Sequence, residues 1–163
     1  MKTLIVGDLH LKQQFVLPRI DGMLAGDAEI GRVVFLGDAC DDWGANEADE
    51  LNAMEFYAKW VREHRGRGMR IDVLLGNHDF CYVRGKRGPG SIMSIMRNLR
   101  TILEDALQAK VACAVGPYLC SHAGVTGVWA KRFLADVPAD AVAIAQRLNE
   151  MLADSSHWGD WDS

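Results

Sequence analysis

Three carboxylates, two imidazoles and an amide follow directly on three apolar runs of this chain. The runs are Leu4-Ile5-Val6, Val33-Val34-Phe35-Leu36 and Val73-Leu74-Leu75, and they lead into Gly7-Asp8-Leu9-His10, Gly37-Asp38 and Gly76-Asn77-His78-Asp79. Carboxylate, imidazole and amide oxygen together suit divalent transition metals in open coordination sites. Asp8 and His10 are two residues apart, so an extended strand end points both to one side. Asp38 can give one oxygen to each of two cations, and Asn77 adds a neutral oxygen. His122, in Ser121-His122-Ala123-Gly124, again stands at the exit of an apolar run. Two cations about 3.5–4 Å apart can hold a bridging hydroxide and clamp a phosphoryl group for in-line attack. His78 need not bind metal. With Asp79 orienting its ring, an imidazolium there would protonate a leaving oxygen or stabilise the transition state.

Side chains so far apart in sequence converge only if their strands lie side by side. Short apolar runs rich in β-branched residues read as buried strands of a parallel sheet, at 2–7, 33–36 and 71–75. The glycine at each exit lets the chain turn sharply at the sheet's C-terminal edge. Residues 15–28 mix helix and turn signals around Pro18, Gly22 and Gly26. Asn46 or Asp49 can cap a helix running to about residue 64, and its basic end suits the helix dipole. Residues 82–90 read as a flexible basic loop with Arg84, Lys86 and Arg87, and 91–109 as one helix. Residues 111–115 and 118–121 flank Gly116-Pro117 as a hairpin. Helices at 126–134 and 138–153 precede a polar tail. The succession of elements predicts one α/β domain over residues 1–163 with a mainly parallel sheet.

Bulk properties exclude several classes. A chain of 163 residues suits a single core, and 49% hydrophobic with 25% charged residues is ordinary for a folded protein. A net charge of −4 gives no electrostatic case for a nucleic-acid partner, so nucleic acid enters only as a substrate. No apolar run reaches bilayer length, and Asp8 interrupts any signal-peptide core. Cys40, Cys81, Cys113 and Cys120 form no C-x-x-C pair and read as reduced thiols of a cytoplasmic protein.

The motifs resemble those of the calcineurin-type metallophosphoesterases: D-x-H, G-D-x-x-D, G-N-H-[D/E], a lone His, then G-H-x-H. The matches are Asp8-Leu9-His10, Gly37-Asp38-Ala39-Cys40-Asp41, Gly76-Asn77-His78-Asp79 and His122, and they span about residues 1–124. The resemblance implies a β-sandwich flanked by helices and a metal-dependent phosphomonoesterase or phosphodiesterase. It assigns Asp8 and His10 to a first metal, Asp38 to both, and Asn77 and His122 to a second, with His78 and Asp79 as the acid dyad. The cofactors it implies are two divalent ions, with manganese foremost and iron, zinc, nickel or cobalt as alternatives.

The chain also departs from that pattern. It holds no G-H-x-H, so the second half-sheet is expected to be truncated, with His157, a partner copy in a homodimer, or nothing supplying the last imidazoles. Asp42 stands where the serine/threonine phosphatase branch carries arginine, although Ser121-His122-Ala123-Gly124 leans toward that branch. Arg84 and Arg87 follow the dyad closely enough to neutralise a substrate phosphate; as solvated loop residues they would do nothing. Asp41 and Asp42 read equally as loop-orienting and as surface groups. The competing function is a catalytically impaired metal- or phosphate-binding module that needs a partner chain or a longer form.

Overall fold

A computed structural model describes residues 1–159. Strands β1 (Lys2–Val6), β2 (Ile30–Phe35) and β3 (Arg70–Val73) form one parallel sheet in that order. Val6 is level with Phe35, and Phe35 with Val73. All three strands therefore discharge their next residues at the same edge. Helices α1 (Gln13–Gly26) and α2 (Glu47–Gly66) supply the crossovers that parallel strands require. Leu74 and Lys110 extend the sheet by a single parallel bridge.

Alternation along the strands splits the apolar side chains between two cores. Val33, Phe35, Ile71 and Val73 pack with Leu17, Ile20, Met54, Tyr57 and Trp60 of the helices. Val34 and Leu74 face the other way, onto Cys113 and Cys120 of an antiparallel hairpin. That hairpin, β4 (Ala112–Val115) and β5 (Tyr118–Ser121), turns at Gly116 with φ +57°. It is the second layer of an α/β fold and carries the chain back to the loaded edge of the sheet. Behind it the Asp72 carboxylate is held by Arg32 at 2.5 Å and Lys110 at 2.5 Å. Helices α5 (Gly127–Phe133) and α6 (Ala141–Ala153) follow, and Ala112 packs with Leu134, Ala145 and Leu148. Among the described residues no helix is long and apolar enough to cross a membrane.

Local chemistry explains the boundaries. Asn46 caps α2 through Ala48 and Asp49, and Asp49 returns the bond to the Asn46 N–H, so both expected cap residues serve one capping box. The ambiguous stretch around Pro18 is a regular helix with Leu17 and Ile20 buried. Residues 82–84 are not loop. They belong to α3 (Asn77–Arg84), which ends where Gly85 turns left-handed at φ +68°. The single helix expected at 91–109 is broken into a 3₁₀ turn (Met93–Ile95), α4 (Met96–Thr101) and a π turn (Ile102–Ala106). The wide turn, closed by Leu107 N–H to the Ile102 carbonyl at 2.8 Å, leaves Leu99, Leu103 and Leu107 all fully buried.

Candidate metal centre

The loops leaving β1 and β2 interlock through their backbones, and the Asp38 and Asp79 carboxylates tie in the loop leaving β3. Leu9 and His10 donate to the Asp38 carbonyl at 3.0 and 2.9 Å, and buried Gln13 donates from Nε2 to the Ala39 carbonyl at 2.8 Å. Four non-glycine residues here adopt left-handed backbone: His10 (φ 38°), Leu11 (φ 58°), Asp38 (φ 49°) and Asp41 (φ 63°). Such conformations cost about 1–3 kcal/mol each and persist where the surroundings over-determine them. The glycines permit the approach. A Cβ on Gly76 would sit 2.0 Å from Asp38 Oδ1, and one on Gly37 (φ +110°) would sit 2.3 Å from the Gly76 nitrogen.

Both candidate histidine ligands are oriented from behind. His10 Nδ1 lies 2.8 Å from the Asp41 carbonyl, and His122 Nδ1 lies 3.1 Å from the Leu36 carbonyl. A carbonyl only accepts, so both Nδ1 atoms carry the hydrogen and both Nε2 atoms are left to bind. His10 Nε2 then faces Asp38 Oδ2 at 3.8 Å, and His122 Nε2 faces Asp38 Oδ2 and Asn77 Oδ1, each at 3.2 Å. Electron-rich atoms gathered so closely require a proton or a cation between them. Without a cation the hydrogen bond to the Asp38 carboxylate raises the pKa of His122 from its ordinary value. Burial opposes ionisation of Asp38, but the His122 ring and the His78 N–H outweigh it and hold its pKa below the usual carboxylate value. Asp8 stands farther out: its side chain is 54% exposed and reaches His122 Nδ1 only at 3.8 Å. The donor set fits divalent cations. His10, Asp38 and His78 also offer ligand atoms within 4.8 Å of one another.

His78 has a different second partner from the one expected. Its Nδ1 lies 2.9 Å from Asp41 Oδ2, and its ring meets His10 edge to face with centroids 5.1 Å apart. Asp79 does not orient it. Asp79 is fully buried, and its oxygens accept backbone N–H groups from Ala39, Cys40 and Gly76 at 3.0, 2.9 and 2.9 Å. As the third residue of α3 it caps the helix and ties it to the β2 loop, so the position next to His78 in sequence is structural. Its own pKa is raised, by burial first.

The model of the calcineurin-like phosphoesterase family matches residues 1–160. This chain belongs to that family. Searches among curated proteins and among solved structures found no match. As a calcineurin-like phosphoesterase it is one of a family that hydrolyses phosphoesters with bound divalent metals.

Within this phosphoesterase His10, Asp41, Asp42, Trp43, His78, Pro89 and Gly90 line a cleft of about 280 Å³. Asp42 is bridged to Lys12 at its rim. Neither Arg84 nor Arg87 lines that cleft. Arg84 ends α3 with its guanidinium 5.4 Å from the centre of the Phe80 ring, and Arg87 is exposed in the loop beyond. His157 lies on a C-terminal turn (Ser155–His157) facing Asp154 Oδ2 at 4.0 Å, outside the group of candidate ligands found among the described residues. Two contributors were not singled out from sequence. Glu50 Oε1 accepts from the Asp41 N–H at 3.1 Å, and Tyr82 bonds Asp41 Oδ1 at 2.5 Å. Glu50 carried a readable signal: it shares the buried face of α2 with Ala53, Met54, Tyr57 and Val61, where a carboxylate is out of place.

Proposed function

We propose that this phosphoesterase hydrolyses phosphomonoesters or phosphodiesters with two divalent cations. Asp8, His10 and Asp38 would hold one, and Asp38, Asn77 and His122 the other. Bound there, the cations supply Lewis-acid charge and a water of lowered pKa. The observation that carries this is the matched commitment of His10 Nδ1 and His122 Nδ1 to backbone carbonyls, which leaves both Nε2 atoms for Asp38 Oδ2.

The chain's own acid is His78. Asp41 Oδ2 takes its Nδ1–H, and its side chain lines the cleft, so Nε2 is the atom that protonates the leaving oxygen. Arg87, two residues before the cleft residue Pro89, is the candidate to meet substrate phosphate. Manganese is the first cation to test, because carboxylate and amide oxygens suit it; the imidazoles make iron, zinc and nickel the next. The buried thiols of Cys113 and Cys120, paired across the hairpin without a disulfide, favour a reducing, cytoplasmic setting.

The test is hydrolysis of an aryl phosphate in added Mn²⁺, with metal content measured on the same protein. Asp38→Asn should lose most bound metal and at least about 100-fold in turnover, since it removes an oxygen shared by both sites. No turnover of any monoester or diester with any divalent metal would sink the proposal. The exposed position of Asp8 favours one second reading, a metal binder with an incomplete first site. One weakly held ion per chain, with no turnover, would select it.

A further inference from the structure

Asp41 has every hydrogen-bonding group engaged. Its N–H donates to Glu50 Oε1 at 3.1 Å, its carbonyl accepts from His10 Nδ1 at 2.8 Å, and Oδ2 accepts from His78 Nδ1 at 2.9 Å. The remaining oxygen, Oδ1, meets the Tyr82 hydroxyl at 2.5 Å. Tyr82 is fully buried and lies one helical turn after His78 in α3. The direction of its hydrogen follows from its other partner. The Ile92 backbone N–H donates to the Tyr82 oxygen at 2.9 Å, so the Tyr82 O–H must point at Asp41.

A carboxylate held at one oxygen can turn about its Cβ–Cγ bond and exchange Oδ1 with Oδ2. Tyr82 removes that freedom. Ile92 closes the segment that brings Pro89 and Gly90 into the cleft wall, so one hydroxyl joins the wall to the His78–Asp41 pair. A catalytic group must be held within a fraction of an ångström by partners whose own rotamers are locked, and a tyrosine fixed by the backbone is such a partner.

We infer that Tyr82 is a positioning residue for leaving-group protonation: its hydroxyl pins Asp41 Oδ1 so that Oδ2 holds His78 in the productive orientation. This rests on the assignment of His78 as the acid. Glu50 acts on the same residue from the other side by fixing its left-handed backbone.

The test is Tyr82→Phe, compared with wild type on two monoesters that differ only in leaving group. Nitrophenolate leaves with little help, whereas an alkoxide needs a proton. Tyr82→Phe is expected to keep its metal content and KM, to lose about 10-fold or more in kcat on the alkyl phosphate, and to change less than about 2-fold on 4-nitrophenyl phosphate. An equal loss on both substrates means a structural role and overturns the inference, as does no loss on either. His78→Ala separates the two levels of the reading. If it shows no leaving-group selectivity, the acid assignment itself is wrong; if it does and Tyr82→Phe does not, only the Tyr82 role falls. Should Tyr82→Phe fail to fold, wild type decides by NMR. A Tyr82 hydroxyl proton protected from exchange, with a cross-peak to the Ile92 N–H, supports the inference, and a rapidly exchanging one overturns it.

Discussion

Replacing Glu50 by Gln isolates the effect of one buried carboxyl on the stability of the fold. Glu50 is fully buried, and its Oε2 has no hydrogen-bond partner among the described residues. Burial first, then the charges of Asp41 and Asp79, push its pKa from 4.5 up to about 7, against the pull of the Asp41 N–H. The folded protein thus keeps this proton to about pH 7, while the unfolded chain releases it near pH 4.5. Folding binds a proton between those values, so this contribution is complete below pH 4.5, declines as pH rises, and is gone above about 7. The window is about 2.5 pH units wide, and at about 1.4 kcal/mol per unit the loss is about 3 kcal/mol. Gln keeps an oxygen for the Asp41 N–H and cannot ionise. Urea unfolding of wild type and Glu50→Gln between pH 4 and 8 should therefore give similar stabilities at the acid end. The variant should gain by up to about 3 kcal/mol at pH 8. Parallel pH profiles for the two proteins would refute the reasoning.

Two further substitutions probe the frame. Gly76→Ala forces a Cβ to within 2.0 Å of Asp38 Oδ1 and 2.4 Å of its backbone nitrogen. It should cost roughly 3 kcal/mol in thermal or urea unfolding and weaken metal retention, measured by titration, because the β2 loop must retreat. Arg32→Met leaves Asp72, buried behind the hairpin, with Lys110 at 2.5 Å and Arg70 at 3.5 Å as its remaining partners. A loss of about 2–3 kcal/mol in urea unfolding, with kcat and KM unchanged, is the expected outcome.

The frame was legible in the sequence because its signals are local. Apolar runs ending in glycine marked the three strands, and Asn46 with Asp49 marked the start of α2. Spacing likewise identified His10, Asp38, Asn77 and His122 as neighbours at one sheet edge, and the structure brings them together. Sequence reasoning failed where adjacency along the chain differs from adjacency in space. Asp79 follows His78 directly, but the first turn of α3 points their side chains apart, into the loop behind β2 and into the cleft. Asp41 reaches His78 only because its backbone turns left-handed, which nothing in Cys40-Asp41-Asp42 announces. Tyr82 was hidden for a related reason. The basic residues after it suggested a loop, yet the cap provided by Asp79 carries α3 through to Arg84.

His122 belongs to a hairpin whose core contact with the main sheet is small: Val34 and Leu74 against Cys113 and Cys120, with Leu36 and Val115 alongside. Its ring nevertheless bonds Leu36, Asp38 and Asn77 of the sheet edge. A cation seated there would rivet the two layers together, and its binding energy would be hairpin-docking energy. At a concentration one hundred times its dissociation constant it would add about 2.7 kcal/mol to that attachment. Undocking of β4–β5 and release of metal would then be a single event, and the hairpin would be the route by which the site exchanges its ions.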